Sequence, residues 1–228
     1  MLFSKIQTHY LLILAITFGN FWIWRIFKDN LVVGILLVIL SFLLFKQLVD
    51  KFQIHRLLIL IFIFLLISFL TLRVGFDANI FITSPQDLSQ LNRRHGFYAD
   101  ELGLLFTNRF SQKAYKYLSL PILKLEKNLF SNLDINLYFF ASHPRERGTG
   151  EFEKYSWLLL FPFILGFFSI LKYYKVVGTY LSSAALISML LNPAYSLGPV
   201  LFFPFINVLI AFGLISFLNI FKNKMPKS

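Results

Sequence analysis

The sequence lacks cysteine altogether and is poor in charged residues, which make up only 14% of it. The absence of cysteine excludes disulfides, thiolate metal ligands and cysteine nucleophiles. An ordinary soluble domain is about 25% charged, whereas this chain of 228 residues is 57% hydrophobic. A water-soluble domain of this length could not bury so much apolar surface, so we predict an integral membrane protein.

Acidic residues are also scarce, with 11 Asp and Glu against 22 Lys and Arg, which gives a formal net charge of +11. A basic balance can indicate nucleic-acid binding, yet the sequence has no basic stripe, no zinc-finger spacing and no RNA-binding aromatic motif. Most of the cations flank apolar segments, as membrane anchors do. We therefore expect membrane lipids as partners, and no nucleic acid.

The familiar catalytic and nucleotide-binding motifs are missing as well. No hydrolase elbow, P-loop, HExxH zinc motif or Rossmann fingerprint occurs. None of the apolar segments carries a central Asp, Glu, Lys or Arg. Such charges usually mark the path of an ion through a membrane protein, so the sequence argues against an ion-coupled transporter.

Long apolar segments dominate what the sequence does contain. A hydrocarbon core about 30 Å thick is crossed by roughly 17–25 mostly apolar residues in a helix. We predict an all-α integral membrane fold with about six transmembrane helices. Residues 1–72 would form a three-span N-terminal bundle, residues 73–156 an extracytoplasmic helical loop and residues 157–228 a three-span C-terminal bundle. The predicted spans cover about residues 9–27, 31–45, 57–72, 157–174, 176–191 and 200–221.

Lysine and arginine in the short loops predict the orientation. If the N-terminus is cytoplasmic, nine such residues lie in the inner segments, and two, Arg25 and Lys28, lie in the outer short loops. Cytoplasmic loops carry the excess of Lys and Arg, and long loops translocate largely regardless of their charge. We therefore expect both termini in the cytoplasm and residues 73–156 outside. The nine inner residues are Lys5, Lys46, Lys51, Arg56, Lys172, Lys175, Lys222, Lys224 and Lys227.

The long external loop is predicted to contain amphipathic helices. Ser84, Pro85 and Asp87 are typical of a helix start, as an N-cap, a first-position proline and a first-turn acid. We expect a second helix over about residues 100–118 and a third over about 121–133, each with apolar residues at helical spacing and cations on another face. Either the loop folds onto the outer leaflet and caps the bundle, or it shapes a substrate site.

Basic residues of the loop are the candidate ligands for a lipid phosphate or substrate. His143, Arg145 and Arg147 lie in a glycine-containing segment before the fourth predicted span, and Arg93 and Arg94 are adjacent earlier in the loop. Arginine pairs phosphate oxygens in a bidentate manner. The alternative is that these residues contact lipid headgroups or solvent.

Asp100 and Glu101 form an adjacent acidic pair and are the candidate catalytic residues. External carboxylates can coordinate a divalent metal or act as a base in membrane glycosyl transfer. In the first turn of a helix they would instead stabilise the positive end of the helix dipole, and this interpretation needs no second site. A divalent metal is therefore expected only if the protein is catalytic, and no other cofactor is indicated.

The order of motifs in the second half of the chain resembles a known family. An aromatic run within residues 133–140 is followed by residues 143–145 (His-Pro-Arg), by residues 147–151 (Arg-Gly-Thr-Gly-Glu) and by an apolar span containing Pro162 and Gly166. This order resembles the later external loop of bacterial multi-spanning, polyprenyl-phosphate-dependent glycosyltransferases of the GT-C type, relatives of dolichyl-phosphate-mannose–protein mannosyltransferases. The resemblance implies a helical bundle in a bacterial cell membrane that faces an external lipid-linked sugar.

The chain also departs from that family. Its members have many more spans and an acidic motif in the first external loop, whereas that loop here is residues 28–30 with a single acid. Asp100 and Glu101 lie in a different context and do not match that motif. We therefore expect a shortened relative that is catalytically incomplete or depends on a partner membrane protein. The open alternatives are a glycosyltransferase-like protein that binds a polyprenyl-phosphate sugar, a non-catalytic accessory subunit of an envelope-biogenesis complex, and a lipid transporter, which the few polar residues in the spans disfavour.

Overall fold

The computed structural model describes residues 2–50, 53–103, 108–140, 153–193 and 195–224. Within these ranges the protein is all-helical, with 84% helix and no strand. The predicted all-α class is therefore confirmed. The α-helices of these ranges are α1 (Leu2–Phe18), α2 (Phe21–Asp29), α3 (Leu31–Val49), α4 (Ile54–Gly75), α5 (Pro85–Leu102), α6 (Arg109–Leu133), α7 (Asn136–Phe139), α8 (Leu160–Ile170), α9 (Tyr174–Ser188) and α10 (Phe203–Lys224).

Several helical segments are long and apolar enough to cross a membrane. In the described ranges four meet this condition: Leu31–Val49, Ile54–Gly75, Trp157–Ser188 and Val200–Ile220. The apolar part of α1 together with α2 makes a fifth if this bent pair counts as one span. The helices therefore support insertion into a membrane, and by length and composition they number four or five where the sequence predicts six.

The first predicted span is broken around Asn20, where α1 and α2 are bent by 62°. The Asn20 side-chain oxygen accepts a hydrogen bond from the amide of Ile23 at 2.9 Å and so caps α2. Its Nδ2 donates to the carbonyls of Ile16 and Thr17 at 2.9 and 2.8 Å. Because one polar side chain satisfies the end of one helix and the start of the next, a bend replaces the uninterrupted helix.

Helix α8 and the residues before it run beside α10 in the same direction. The Tyr155 hydroxyl donates to Oδ1 of Asn207 at 2.9 Å. Further along both segments, the hydroxyl oxygens of Ser169 and Ser216 lie 2.8 Å apart. Residue numbers therefore increase together along the two segments.

Helix α9 follows α10 in the opposite direction. The rings of Tyr173 and Phe212 lie 6.0 Å apart. Further along α9, the Tyr180 hydroxyl donates to the Leu201 carbonyl at 2.9 Å, so the contacts move back towards the start of α10. The 3-10 turn Leu171–Tyr173 is therefore where the chain changes direction within the helical run Trp157–Ser188.

Two glycines bring α8 and α10 into backbone contact. A Cβ atom on Gly166 would lie 1.8 Å from the Leu209 carbonyl oxygen, and one on Gly213 would lie 1.7 Å from the Pro162 carbonyl oxygen. Small residues allow helix backbones to approach this closely in membranes. Residues 203–213 of α10 are buried throughout and form the centre of the core.

The loop between α4 and α8 contains helices, as predicted, and the start of α5 is confirmed. The Ser84 hydroxyl accepts from the Asp87 amide, and the Asp87 carboxylate accepts from the Ser84 amide, each at 3.1 Å. Pro85 occupies the first helical position. The two reciprocal bonds satisfy amide groups that have no partner within the helix.

The predicted second helix, over residues 100–118, has the wrong boundaries. Its first residues form the end of α5, and Gly103 follows with φ of 53°. This left-handed value favours glycine and ends the helix. Residues 104–107 lie outside the described ranges, and α6 then continues through Pro121 as one helix, so the predicted third helix is its second half. Pro121 removes one backbone hydrogen bond, and the turns on both sides keep α6 continuous.

Candidate functional site

A polar pocket of about 380 Å³ lies where helix α6 meets the ends of α4 and α9. Its walls come from the segment after α4, from α6 and from the segment after α9. Carboxylate, amide and ammonium groups line it, and together they can both donate to and accept from hydroxyl and phosphate oxygens. The lining residues are Asp77, Asn79, Lys124, Lys127, Asn128, Asn192 and Pro193.

Asp77 is the carboxylate of the pocket and is buried, with 7% of its surface exposed. Its Oδ2 accepts from Nδ2 of Asn128 at 3.0 Å, and its Oδ1 accepts from the amide of Asn79 at 3.2 Å. Its own amide donates to the Leu190 carbonyl at 2.9 Å. Asp77 therefore connects all three walls of the pocket.

Helix α6 is docked through two buried asparagines four residues apart. Nδ2 of Asn128 also donates to the Met189 carbonyl at 3.2 Å, and Nδ2 of Asn132 donates to the Ser188 carbonyl at 2.8 Å. Carbonyls at the end of a helix such as α9 lack partners within the helix, and the two amides supply them. The polar face of α6 therefore meets the bundle. Large apolar residues of α6 stay exposed, among them Phe110, Tyr117, Ile122 and Phe130.

Lys124 joins α6 to the start of α5. Its ammonium donates to Oδ2 of Asp87 at 2.9 Å and to the carbonyls of Asn79 and Ile82 at 3.0 and 2.7 Å. The bond from Lys124, followed by the bond from the Ser84 amide, lowers the pKa of Asp87 to about 2. An ammonium has three donors, so Lys124 is fully used in holding the loop helices together.

Lys127 is the pocket cation that faces solvent. Its side chain is exposed, and within the described part of the chain its ammonium forms no ion pair. A lysine ammonium is a point charge that binds phosphate oxygens. The pocket thus combines an available cation with amide groups and a carboxylate, which suits a ligand carrying both hydroxyl and phosphate groups.

The predicted catalytic residues are not part of this pocket. Asp100 and Glu101 are exposed in the last turn of α5, at the negative end of its dipole. Their interpretation as first-turn charges is therefore wrong, because α5 ends where a new helix was expected to start. At 1.5 Å per residue they lie about 20 Å along the helix from Asp87, which is bound to the pocket residue Lys124.

The basic residues predicted to bind phosphate fall into two groups. Arg93 and Arg94 are exposed in the middle of α5 and do not line the pocket. His143, Arg145 and Arg147 lie outside the described residues, and their role stays a prediction. In the described ranges no three His, Asp or Glu side chains come together to hold a metal ion, and the divalent metal also stays a prediction.

Lys154 is a buried cation that no sequence motif marks, with 2% of its surface exposed. Its Nζ donates to the Leu137 carbonyl at 2.9 Å and lies 5.8 Å from the centre of the Trp22 ring. The Trp22 indole in turn donates to the Leu197 carbonyl at 2.9 Å. Lys154 therefore anchors the chain to the bundle just after the segment that contains the predicted basic residues.

Sequence reasoning missed the residues that build the pocket. The spacing of Asn128 and Asn132 places both on one face of a helix, and this was the available signal. Their partners at the end of α9 are 56 and 61 residues away in the chain, and local periodicity cannot reveal such a pairing.

No family model matches this chain, and no curated protein or solved structure was found to be similar to it. The fold and the pocket therefore define its class. It is an all-helical protein with several helices able to span a membrane and a polar helical layer docked at one end of the bundle.

Proposed function

We propose that the protein crosses a bacterial cell membrane six times, with both termini in the cytoplasm and the layer of α5 and α6 outside. The opposite directions of α8 and α9 along α10 support this number, because each half of residues 157–188 then makes one crossing. The bent pair α1 and α2 makes the first crossing. The excess of lysine and arginine in the inner segments supports the orientation.

Because the chain has no native cysteine, introduced cysteines report this topology directly. A membrane-impermeant maleimide should label Ser89→Cys on α5 in intact cells. It should label Lys172→Cys, at the turn between α8 and α9, only after the cells are permeabilised. Both native residues are exposed. If Lys172→Cys stays unlabelled after permeabilisation, or is labelled from outside, the six-span topology is wrong.

For the function, we infer that the polar pocket binds the sugar-phosphate head of a lipid-linked sugar of the polyprenyl-phosphate class in envelope assembly. The observation that carries this inference is the pocket itself, in which the Asp77 carboxylate, several amides and the available Lys127 ammonium face one space. Carboxylates and amides bind sugar hydroxyls, and the ammonium neutralises phosphate. The exposed apolar residues of α6 suit a layer that lies on the membrane surface.

The same geometry favours a binding or accessory role over a complete glycosyltransferase. Asp100 and Glu101, the predicted base or metal ligands, lie outside the pocket, at the far end of α5. We therefore propose that the protein presents a lipid-linked sugar to a partner membrane protein. Glycosyl transfer by the chain itself is the second candidate, and the motif order of residues 133–151 favours it.

Binding of a polyprenyl-phosphate monosaccharide to the full chain in nanodiscs tests the pocket. We expect Lys127→Gln to weaken binding about tenfold, because a hydrogen bond to a charged group contributes about 1.5 kcal/mol or more. Lys113→Gln is the matched control, since it removes the same charge from an exposed position on α6 outside the pocket. We expect it to change binding less than about twofold. Equal weakening by both variants would mean diffuse electrostatic attraction and would contradict the pocket.

A turnover assay with the same donor and a divalent metal separates the two candidate functions. Donor binding without sugar transfer supports the accessory role. Transfer by the wild type that is lost in the Asp100→Ala/Glu101→Ala double variant would instead make the protein an enzyme with its base on α5. The Arg145→Ala/Arg147→Ala double variant tests in parallel whether the charged segment before the fourth predicted span contributes to donor binding.

A further inference from the structure

An apolar groove of about 650 Å³ runs along the side of the bundle between α4 and α9. Helix α4 lines it between residues 57 and 65, and α9 lines it between residues 175 and 187. The rings of Phe64 and Tyr180 lie 5.3 Å apart within this lining, and Leu44 of α3 also contributes. The two helices are therefore separated by a space that is open along one side.

The groove presents hydrocarbon, and two of its hydroxyl groups are already used. The Tyr180 hydroxyl donates to the Leu201 carbonyl at 2.9 Å. The Thr179 hydroxyl donates to the Lys175 carbonyl at 2.7 Å. Most of the other lining side chains are leucine, isoleucine, valine or phenylalanine. Such a surface favours an unbranched or branched hydrocarbon chain over a polar ligand.

If the helices that form the groove span the membrane, the groove faces lipid. Its α4 wall belongs to Ile54–Gly75, which is apolar and long enough to cross a membrane. Ile61 and Leu65 of α4 and Leu186 of α9 line the groove and are 44%, 58% and 64% exposed. Residues 175–187 extend over about 18 Å at 1.5 Å per residue, close to the thickness of one leaflet of a core about 30 Å thick.

One end of the groove is positively charged. Lys175 lines it there, and Lys172 precedes it with its ammonium 4.8 Å from the centre of the Tyr173 ring. At the start of α4, Arg56 is neutralised by Asp50 at 3.1 Å, so the lysines supply the excess positive charge. An edge of aromatic and basic residues is typical of the headgroup region.

We propose that this groove binds one chain of an anionic bilayer phospholipid, with the lipid phosphate at Lys175. The apolar walls and the length of the groove match an acyl chain, and Lys175 matches the anionic head. The lateral opening at membrane level identifies the bilayer as the source of the lipid. The site is independent of the polar pocket, which lies at the other end of α9 beside Ser188. The inference therefore does not rest on the proposed function.

Native mass spectrometry of the full chain, released from detergent with added phosphatidylglycerol or phosphatidylcholine, tests this site. We expect the wild type to retain phosphatidylglycerol at least fivefold better than phosphatidylcholine. Lys175→Gln should lower phosphatidylglycerol retention about fivefold, since it removes a charged partner worth about 1 kcal/mol. Lys172→Gln removes the same charge from a residue that does not line the groove, and it should lower retention less than twofold.

A second pair of variants tests the chain-binding part of the groove. Ser183→Phe places a large side chain in the groove and should abolish retention of both phospholipids. Ser182→Phe, on the exposed neighbouring position, should leave retention unchanged. Thermal unfolding in detergent checks that each variant is folded. If Ser183→Phe does not fold, the two lysine variants alone test the proposed lipid site.

Several outcomes would overturn the proposal. The proposal that Lys175 binds the anionic head would be wrong if the wild type retained the two phospholipids equally. It would also be wrong if the two lysine variants had equal effects. Unchanged lipid retention in folded Ser183→Phe would show that the groove does not bind the acyl chain. A polyprenyl phosphate that displaces phosphatidylglycerol at lower concentration would assign the groove to a lipid-linked substrate. A second protein chain retained in place of lipid would assign it to a protein contact.

Discussion

Helices α6 and α10 have similar lengths, 25 and 22 residues, and are held by different interactions. The first half of α10, residues 203–213, is buried and almost entirely apolar. Helix α6 buries Asn128 and Asn132 and exposes large side chains such as Phe110 and Phe130. Helix α10 is held by side-chain and backbone packing, whereas α6 is held mainly by hydrogen bonds from Asn128, Asn132 and Lys124.

This difference shows that the helix bundle and the layer of α5 and α6 are stabilised by different kinds of interaction. In a membrane, helices gain little from hydrophobic burial against each other and depend on close van der Waals packing. The layer of α5 and α6 depends on hydrogen bonds from amide and ammonium groups, and a typical hydrogen bond contributes about 1 kcal/mol. We therefore expect large, global effects from changes in the bundle, and small, local effects from changes in the layer of α5 and α6.

The largest effect is expected from Gly213→Ala. The new Cβ would lie 1.7 Å from the Pro162 carbonyl oxygen, a backbone atom that moves only if α8 moves. We expect a loss of about 3 kcal/mol in the free energy of unfolding, at the upper end of overpacking costs, measured by thermal unfolding in detergent.

The matched control for this change is Gly178→Ala in α9, where a Cβ would meet nothing within 4 Å. It should be neutral or stabilise by up to about 1 kcal/mol, because alanine is the better helix former. If both alanine variants unfold at the wild-type temperature, the backbone contact between α8 and α10 does not exist.

A smaller loss of stability is expected from Tyr155→Phe. It removes the donor to Oδ1 of Asn207, whose side chain is fully buried. Leaving that acceptor unpaired should cost about 1 kcal/mol in the same unfolding measurement. Tyr174→Phe removes a hydroxyl from an exposed residue and should have no measurable effect. Equal stability of the two variants would argue that the Tyr155 bond contributes nothing.

In the layer of α5 and α6, Asn132→Ala should act locally. Loss of the bond to the Ser188 carbonyl should speed amide hydrogen exchange in α6 about fivefold, equivalent to about 1 kcal/mol. Exchange in α10 should not change. Ser131→Ala, at the adjacent and less buried position, is the control. A matching increase in α10 would show that the two layers open as one cooperative unit.

The smallest expected effect is the pH dependence of the bond between Asp87 and Lys124. The pKa of Asp87 is lowered to about 2 from an ordinary value near 4. A lowered carboxylate pKa stabilises the folded state above the ordinary value, and this contribution is lost as the pH falls through the folded value. The effect is small because partly exposed ion pairs contribute little.

A spin label at Ser89→Cys reports how firmly α5 is held. Asp87→Asn should increase its mobility at pH 6, and the difference from the unsubstituted Asp87 background should shrink as the pH falls below about 4 and disappear only well below about pH 2. A difference of full size that persists well below about pH 2 would show that another property of Asp87 holds α5.

Local signals in the sequence predicted the elements that depend on neighbouring residues. The helix start at Ser84 was predicted correctly because an N-cap and its third-position partner are local. The segments Leu31–Val49 and Ile54–Gly75 contain the predicted second and third spans, with longer ends. The boundary at Gly103 was missed because the apolar spacing continues past it, whereas a left-handed backbone ends the helix there.

The sequence reveals the bend at Asn20 in part, but it does not reveal the change of direction at Leu171–Tyr173. Asn20 was visible as a polar interruption in an apolar segment, and its bonds to Ile16 and Thr17 turned that interruption into a 62° break. At Leu171–Tyr173 the helical hydrogen bonding continues through a 3-10 turn. Only contacts with α10 show that the chain reverses there.

The sequence by itself determined that this protein is all-helical and suited to a membrane. Length, hydropathy and the lack of central charges act over about 20 residues at a time, so they can be read along the chain. Tertiary structure alone decided where the polar pocket and the apolar groove lie. Asp77, Asn128 and Asn192 come from three distant segments, and they meet because buried carboxylate, amide and carbonyl groups must find partners wherever the packed helices bring them together.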